Sequence, residues 1–88
     1  MSMEDEIETI CRVCGYDEGE PRWVNGCACS VICRACAAQS GLNDNLLEGV
    51  RELRGYWIGQ GAPWFHPEDK PEGWDLLKQM ADLPPEWR

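Results

Sequence analysis

Four of the cysteines form two C-x2-C pairs, Cys11 with Cys14 and Cys33 with Cys36, and residues 15–32 separate the pairs. A C-x2-C turn brings two thiolates to one metal ion at a bond length of about 2.3 Å, and a connection of this length can leave the ion and return to it. The pattern predicts a tetrahedral zinc site that is structural, because four protein ligands fill it. Iron in the same four thiolates and a set of three disulfides are the alternatives.

Cys27 and Cys29 form a C-x-C pair between the two C-x2-C pairs. They could replace one pair in the site, giving a ligand set of Cys11, Cys14, Cys27 and Cys29. They could also join a two-metal cluster or act as a reactive thiol pair. We expect them instead to be small, partly buried thiols beside the zinc site.

Nothing else in the sequence has the pattern of a catalytic site. His66 is the single histidine, and no Asp, Ser or Cys accompanies it at a recognisable catalytic spacing, so we expect a loop residue without a special role. Residues 59–61 lack the third glycine and the preceding strand of a nucleotide-binding fingerprint. A hydrolytic zinc needs an open coordination position, which four cysteines do not leave. We therefore expect a protein that is not an enzyme.

Short elements must position the two cysteine pairs. Asn-Gly at 25–26 predicts a tight turn between strands at 22–24 and 30–32. Gly15 can adopt a positive φ and aim its amide at a sulfur. Ala37 occupies the equivalent position after the second pair. A positive φ is less favourable for a residue with a Cβ, so we expect a wider turn there.

Residues 45–58 are predicted to form a helix. Its apolar side chains recur at helical spacing and include Leu46, Val50, Leu53 and Trp57. Asn45 followed by Glu48 has the spacing of a capping box, and Asp44 is the competing cap. Two glycines inside this stretch act against the helix.

Residues 72–82 are predicted to form a second helix, with Pro71 at its first position. The predicted fold class is small α+β: a zinc-ribbon or rubredoxin-like knuckle lobe with a short β-hairpin at 10–38, then two C-terminal helices in a half at 39–88 packed on it. The 88 residues suit a single domain, 1–88, and a chain this short commonly needs a metal for stability.

The net charge is −8, from 16 acidic and 8 basic residues. Four thiolates on one Zn²⁺ would make it about −10. The basic residues form no run, so we expect no nucleic-acid partner. The acidity favours solubility, and it would also suit a basic protein partner. The sequence leaves the oligomeric state open.

The sequence also bears on location. No apolar run is long enough to span a bilayer, so we expect no membrane association. The segment 1–6 lacks the basic and apolar regions of a signal peptide, which predicts a cytoplasmic protein whose thiols stay reduced.

Five tryptophans are many for this length. We expect most of them to fill a small core, where each ring buries a large apolar area. The alternative is that Trp64, Phe65 and Trp87 form part of an exposed binding patch.

Four segments within residues 10–78 carry a family resemblance. They are Cys11-Arg-Val-Cys-Gly-Tyr16, Ile32-Cys-Arg-Ala-Cys36, Trp57-Ile-Gly-Gln-Gly-Ala-Pro-Trp-Phe65 and Gly73-Trp-Asp-Leu76. They resemble the CPCC type of small bacterial cysteine-rich proteins. The resemblance implies a zinc-ribbon-like domain, and some such acidic proteins belong to toxin–immunity systems, which would fit a basic partner.

Two departures from that family bear on the knuckles. The family opens with C-P-x-C-G-Y and continues with I-C-x-C-C-G, whereas this chain has Arg12 in place of the proline and Ala37 in place of the second glycine.

These patterns together predict a structural zinc protein that acts as a protein-interaction module, with an immunity-like role implied by the resemblance. The alternative is a rubredoxin-like electron carrier, or a thiol-redox protein that uses the same cysteines.

Overall fold

A three-stranded antiparallel sheet begins the fold in the computed structural model, which describes residues 5–88. Its strands are β1 (Ile7–Glu8), β2 (Trp23–Val24) and β3 (Cys27–Ala28), in the order β1-β2-β3. Part of the segment on which the absence of a signal peptide was predicted, residues 1–4, lies outside the described residues.

The hairpin between β2 and β3 confirms the predicted turn and corrects the predicted return strand. Asn25 and Gly26 have φ values of 51° and 77°, as a two-residue type I′ turn requires. Such a turn pairs the residues that flank it, here Val24 with Cys27. The strand predicted at 30–32 is therefore wrong, because the ladder forms immediately after the turn.

Helix α1 (Leu47–Gly59) begins two residues later than predicted. The predicted capping box is wrong: Leu46 is the N-cap, and no side chain among residues 5–88 caps the helix N-terminus. Asp44 instead accepts a hydrogen bond from the amide of Gly41 at 2.7 Å, in the preceding turn. Leu46 is 71% exposed, contrary to prediction, whereas the predicted inward positions Val50 and Trp57 are buried.

A close contact explains a glycine inside α1. A Cβ added to Gly49 would lie 1.9 Å from the carbonyl oxygen of Asn43. The loop before the helix thus touches the helix backbone directly, which only a glycine permits.

Helix α2 (Leu76–Met80) is shorter than the predicted 72–82. The carboxylate of Asp75 accepts from the amide of Leu77 at 2.9 Å and caps it. Gly73 has a φ of 68°, which no right-handed helix allows, so the predicted start at Pro71 is wrong.

The core surrounds the two cysteine pairs. The small α+β class is confirmed, with the sheet, the two helices and a four-cysteine cluster. The buried cluster contains Cys11, Val13, Cys14, Cys33, Ala35, Ala38, Val50, Trp57, Ala62 and Trp64. Within residues 5–88, no helix is both long and apolar enough to cross a membrane.

Candidate metal centre

The two C-x2-C pairs form a repeated structural unit, the knuckle, at 10–17 and 32–39. In each knuckle the amide of the first cysteine donates to the carbonyl five residues later, at 2.8 and 2.9 Å. The amide four residues after that cysteine donates back to its carbonyl, at 2.9 Å in both. A bridge pairs the ends of each unit, Ile10 with Asp17 and Ile32 with Gln39.

Gly15 and Ala37 occupy equivalent places in the two knuckles. Their φ values are 84° and 67°, so both are left-handed. The equal hydrogen-bond lengths show that the prediction of a wider second turn is wrong. Ala37 adopts the conformation despite a strain of about 1–2 kcal/mol for a residue with a Cβ.

The knuckles bring together the four cysteines that the spacing singled out. The Sγ atoms of Cys11 and Cys36 are 3.7 Å apart, and those of Cys14 and Cys33 are 3.6 Å apart. All four Sγ atoms lie within 4.8 Å of one another, so the group could hold a metal ion.

These separations fit a mononuclear tetrahedral centre. Four sulfurs at about 2.3 Å from one ion lie about 3.8 Å apart, close to the observed distances. A disulfide would need about 2.05 Å, so disulfides among these four thiols do not describe the structure. Cys11, Cys14 and Cys33 have 0–1% exposure and Cys36 is half-buried, so protein rather than solvent surrounds the donors.

The four thiols shift one another's pKa values. Hydrogen bonds from the other three thiols, that of Cys14 first, lower the pKa of Cys11 although burial opposes this. Hydrogen bonds to Cys11, together with burial, raise the pKa values of Cys14 and Cys36. Because a metal is ligated by deprotonated sulfurs, binding of a metal ion to this cluster would release protons.

Arg54 of α1 ties the first knuckle to the C-terminus. Its Nε donates to the carbonyl of Val13 at 2.6 Å, and its Nη2 donates to the carbonyls of Arg12, at 2.9 Å, and of Trp87. The carbonyls of Arg12 and Val13 belong to the turn that presents two of the sulfurs, so the helix fixes the orientation of the knuckle.

Arg22 places a second positive charge beside the sulfurs. Its side chain is 1% exposed, and its Nη2 donates to the carbonyl of Ala38 at 3.1 Å. Its Nε and Nη1 have no hydrogen-bond partner in the described part of the chain, although Nη1 lies 3.9 Å from a carboxylate oxygen of Glu18. The charge of Arg22 is one of the influences that lower the pKa of Cys11. A divalent ion with four thiolates carries −2, which this cation partly offsets.

Arg12, inside the first C-x2-C turn, is a buried residue that sequence reasoning missed. Its Cζ lies 3.7 and 4.0 Å from the ring centroids of Trp23 and Trp87, between the two indoles. Its Nε and Nη2 donate to the carboxylate of Glu8 at 2.8 and 2.7 Å, and its Nη1 donates to the carbonyl of Asp44 at 2.9 Å. Arginine is usually exposed, so no sequence signal indicated this site.

Helix α2 also contacts the first knuckle. Gln79 donates through Nε2 to the carbonyl of Cys14 at 3.2 Å and accepts from the indole of Trp74 at 2.7 Å. A Cβ on Gly15 would lie 2.5 Å from the carbonyl oxygen of Gln79. This contact therefore requires glycine at position 15, where the positive φ also favours it.

Cys27 and Cys29 lie outside the cluster. Both are exposed thiols, so the prediction that they are partly buried beside the site is wrong, and so is a ligand set that contains them. Cys27 pairs with Val24 in the hairpin, and the amide of Cys29 donates to the carbonyl of Arg22. The sheet therefore holds them on a separate element from the knuckles.

His66 lies in a loop, as predicted. Its Nδ1 is 2.9 Å from a carboxylate oxygen of Glu68. His66, Glu68 and Asp69 are close enough together to be ligands, but Asp69 already forms a 2.8 Å ion pair with Arg34. We assign no site to this group.

A cavity of about 480 Å³ opens beside the second knuckle. Its wall includes the half-buried ligand candidate Cys36, the small residues Ala37 and Ala38, and the aromatic rings of Trp57 and Phe65. Trp64, which also lines it, is buried, while Phe65 is 52% exposed and Trp87 half-buried, so the tryptophans contribute more to packing than to an exposed patch.

In comparisons with known proteins, no family model matches the chain, and no curated protein or solved structure matches it. The resemblance to CPCC-type proteins, and with it a bacterial origin, therefore stays a prediction.

Proposed function

We propose that this chain is a non-catalytic protein-interaction module of the cytoplasm whose N-terminal half is held together by one structural Zn²⁺. The observation that carries the metal assignment is the buried group of four sulfurs with separations of 3.6 and 3.7 Å. Zinc has no geometric preference from its d electrons and takes four thiolates tetrahedrally. Cys11, Cys14, Cys33 and Cys36 would hold it.

The role proposed for the ion is mechanical. Four cysteines leave no coordination position for water or substrate, so the ion would supply no Lewis acid chemistry. The knuckle carbonyls bound by Arg54 and Gln79 link the same sulfurs to both helices. The centre would therefore organise the surfaces that the helices present.

The interaction role rests on the cavity beside the second knuckle. Its lining is apolar and aromatic, and the phenol of Tyr56 at its rim is 71% exposed. Pockets of this size, with apolar walls and few polar groups, are typical of binding sites.

Metal analysis tests the zinc assignment. Protein purified without added metal should contain one zinc per chain and be colourless. Adding a strong chelator should broaden or shift the amide signals of residues 10–38 first, because metal binding is coupled to the folding of that lobe. The double variant Cys27→Ser/Cys29→Ser is the matched control and should keep its zinc, whereas Cys14→Ser should lose it.

Two outcomes would overturn the zinc assignment. One equivalent of iron with visible colour would favour the electron-carrier alternative, since thiolate cages accept either metal. An amide spectrum that chelation leaves unchanged at 10–38 would show that no metal stabilises this lobe.

A further inference from the structure

One ridge of α1 leads from two carboxylates directly into the cavity. Glu48, Glu52, Tyr56 and Gln60 follow one another at four-residue intervals, and all four are exposed. Residues at this interval lie on one face of a helix, about 6 Å apart along its axis. Tyr56 and Gln60 line the cavity, so the carboxylates stand about 6 and 12 Å from Tyr56 along the ridge.

The charge of this ridge is not compensated within residues 5–88. Neither Glu48 nor Glu52 forms an ion pair there. Arg51, on the next ridge, donates its Nε to the carbonyl of Arg88, toward the C-terminus.

The cations of the chain add to this imbalance. Arg12 and Arg22 are buried, and half-buried Arg54 is bonded to knuckle carbonyls. Several positive charges counted in the net −8 are therefore turned inward, and the surface is more acidic than the total indicates.

The cavity suits one large apolar side chain with part of its backbone. Its volume is about 480 Å³, and within residues 5–88 no Asp, Glu, Lys, Arg or His lines it. Ala37 and Ala38 also line it, and their side chains are small. An apolar group that enters here would contact Val13 and Trp57 in addition to Tyr56.

From this juxtaposition we propose that the cavity and the Glu48–Glu52 ridge bind an extended basic segment of a partner protein. An apolar anchor side chain fills the cavity, and basic residues two and four positions away pair with the carboxylates. In an extended chain, side chains at positions i, i+2 and i+4 share one face at about 6.7 Å spacing, which matches the 6 Å steps of the ridge. The recognised sequence of the partner is Lys/Arg-x-Lys/Arg-x-Φ, where x is any residue and Φ is a large apolar residue, or the same sequence in reverse order.

A second copy of this chain does not fit that pattern. No two Lys or Arg residues lie two positions apart anywhere in the sequence. The partner is therefore a different, basic protein. This inference rests on the proposed function, because it names the partner of the proposed module.

The test is an NMR titration of the full, metal-loaded chain with synthetic peptides at low ionic strength. The probe is acetyl-Gly-Lys-Gly-Lys-Gly-Trp-Gly-amide, together with the version in reverse order. One control peptide has Ala in place of Trp, and another has Glu in place of both Lys. We expect shifts of the amides of Tyr56, Gln60 and Ala37, and binding at least tenfold weaker for the Ala peptide.

Protein variants test the ridge separately from the cavity. Glu48→Gln and Glu52→Gln should each weaken binding about two- to fivefold at low salt, and this difference should shrink in high salt. Tyr56→Ala should weaken peptide binding at both low and high salt. Glu72→Gln removes one carboxylate from an exposed position outside α1 and is the matched control, which should bind as the parent does.

The inference is overturned by any of three results. The first is no spectral change up to about 5 mM peptide, where a Kd near 1 mM would be visible. The second is equal binding by Glu52→Gln and the parent. The third is a dimer in sedimentation that Tyr56→Ala converts to a monomer. Metal content is measured on the same samples. Zinc-loaded, folded protein that binds no peptide refutes this inference alone, whereas a chain without zinc refutes the proposed structural metal.

Discussion

Gly15 and Ala37 allow a direct test of the first knuckle, because they share one backbone conformation in different surroundings. Both have a positive φ, 84° and 67°. Gly15 faces the carbonyl oxygen of Gln79, which an added Cβ would approach to 2.5 Å, whereas Ala37 is exposed. Gly15→Ala therefore introduces strain and a clash, and Ala37→Gly removes strain only.

The magnitudes follow from these two terms. The left-handed conformation costs a residue with a Cβ about 1–2 kcal/mol, and forcing an extra carbon into a packed contact costs about 1–3 kcal/mol. Gly15→Ala should thus lower the free energy of unfolding by about 2–5 kcal/mol. Ala37→Gly gains about 1–2 kcal/mol in relief of strain but loses about 0.5–1 kcal/mol to the greater freedom of glycine when unfolded. The free energy of unfolding of Ala37→Gly should therefore exceed that of the parent by between zero and about 1.5 kcal/mol.

The assay is urea unfolding of both variants and the parent at one buffered free-zinc concentration, because bound metal contributes to the apparent stability. Metal stoichiometry is measured beforehand on each sample. A Gly15→Ala variant within about 0.5 kcal/mol of the parent would refute the contact between the knuckle and α2. A strongly destabilised Ala37→Gly variant would refute the equivalence of the two turns.

The remaining predictions concern α1, the free thiols and pH. Gly49→Ala should destabilise by about 3 kcal/mol in the same assay, because its Cβ would lie 1.9 Å from the carbonyl oxygen of Asn43. Gly55→Ala, which meets no atom within 4 Å, should stabilise by about 0.5–1 kcal/mol, and a reversed order would contradict the helix placement. In metal-loaded protein an aromatic disulfide reagent should titrate two thiols rapidly, Cys27 and Cys29, and the other four only after chelation; six rapid thiols would argue against a metal centre. Metal affinity should fall as pH falls, because protons compete with the metal for the same sulfurs. Competition with a chromophoric chelator measures this affinity, and an affinity that does not change between about pH 5 and 8 would contradict thiolate ligation.

Short sequence motifs correctly predicted those features of the fold that depend on a few neighbouring residues. The C-x2-C spacing singled out the four clustered cysteines, and Asn-Gly fixed the turn at 25–26. The predicted start of α1 was wrong because Asp44, the alternative cap, accepts a hydrogen bond from Gly41 in the turn before the helix. The length of α2 was wrong because Gly73, inside the predicted stretch, adopts a positive φ.

The inward-facing arginines Arg12 and Arg54 were beyond sequence reasoning, because each depends on partners from distant segments. Arg12 needs Trp87 for one side of its stack, and Arg54 bonds to carbonyls of the first knuckle 41 and 42 positions away. A charged residue in a short polar stretch is normally solvated, and only the tertiary structure shows otherwise.

The inward arginines connect the metal centre with the acidic surface. Four thiolates around a divalent ion carry −2, and burying that charge is costly unless cations lie near it. Burial lowers the pKa of Arg54 and the cluster cysteines oppose that shift, while Arg22 adds to the hydrogen bonds from Cys14, Cys33 and Cys36 that lower the pKa of Cys11. Arginines whose guanidinium groups are bonded inside the protein do not pair with carboxylates at the surface. The same arrangement that would compensate a thiolate centre leaves the ridge of α1 negative, so the proposed metal centre and the proposed basic partner would follow from one distribution of charge.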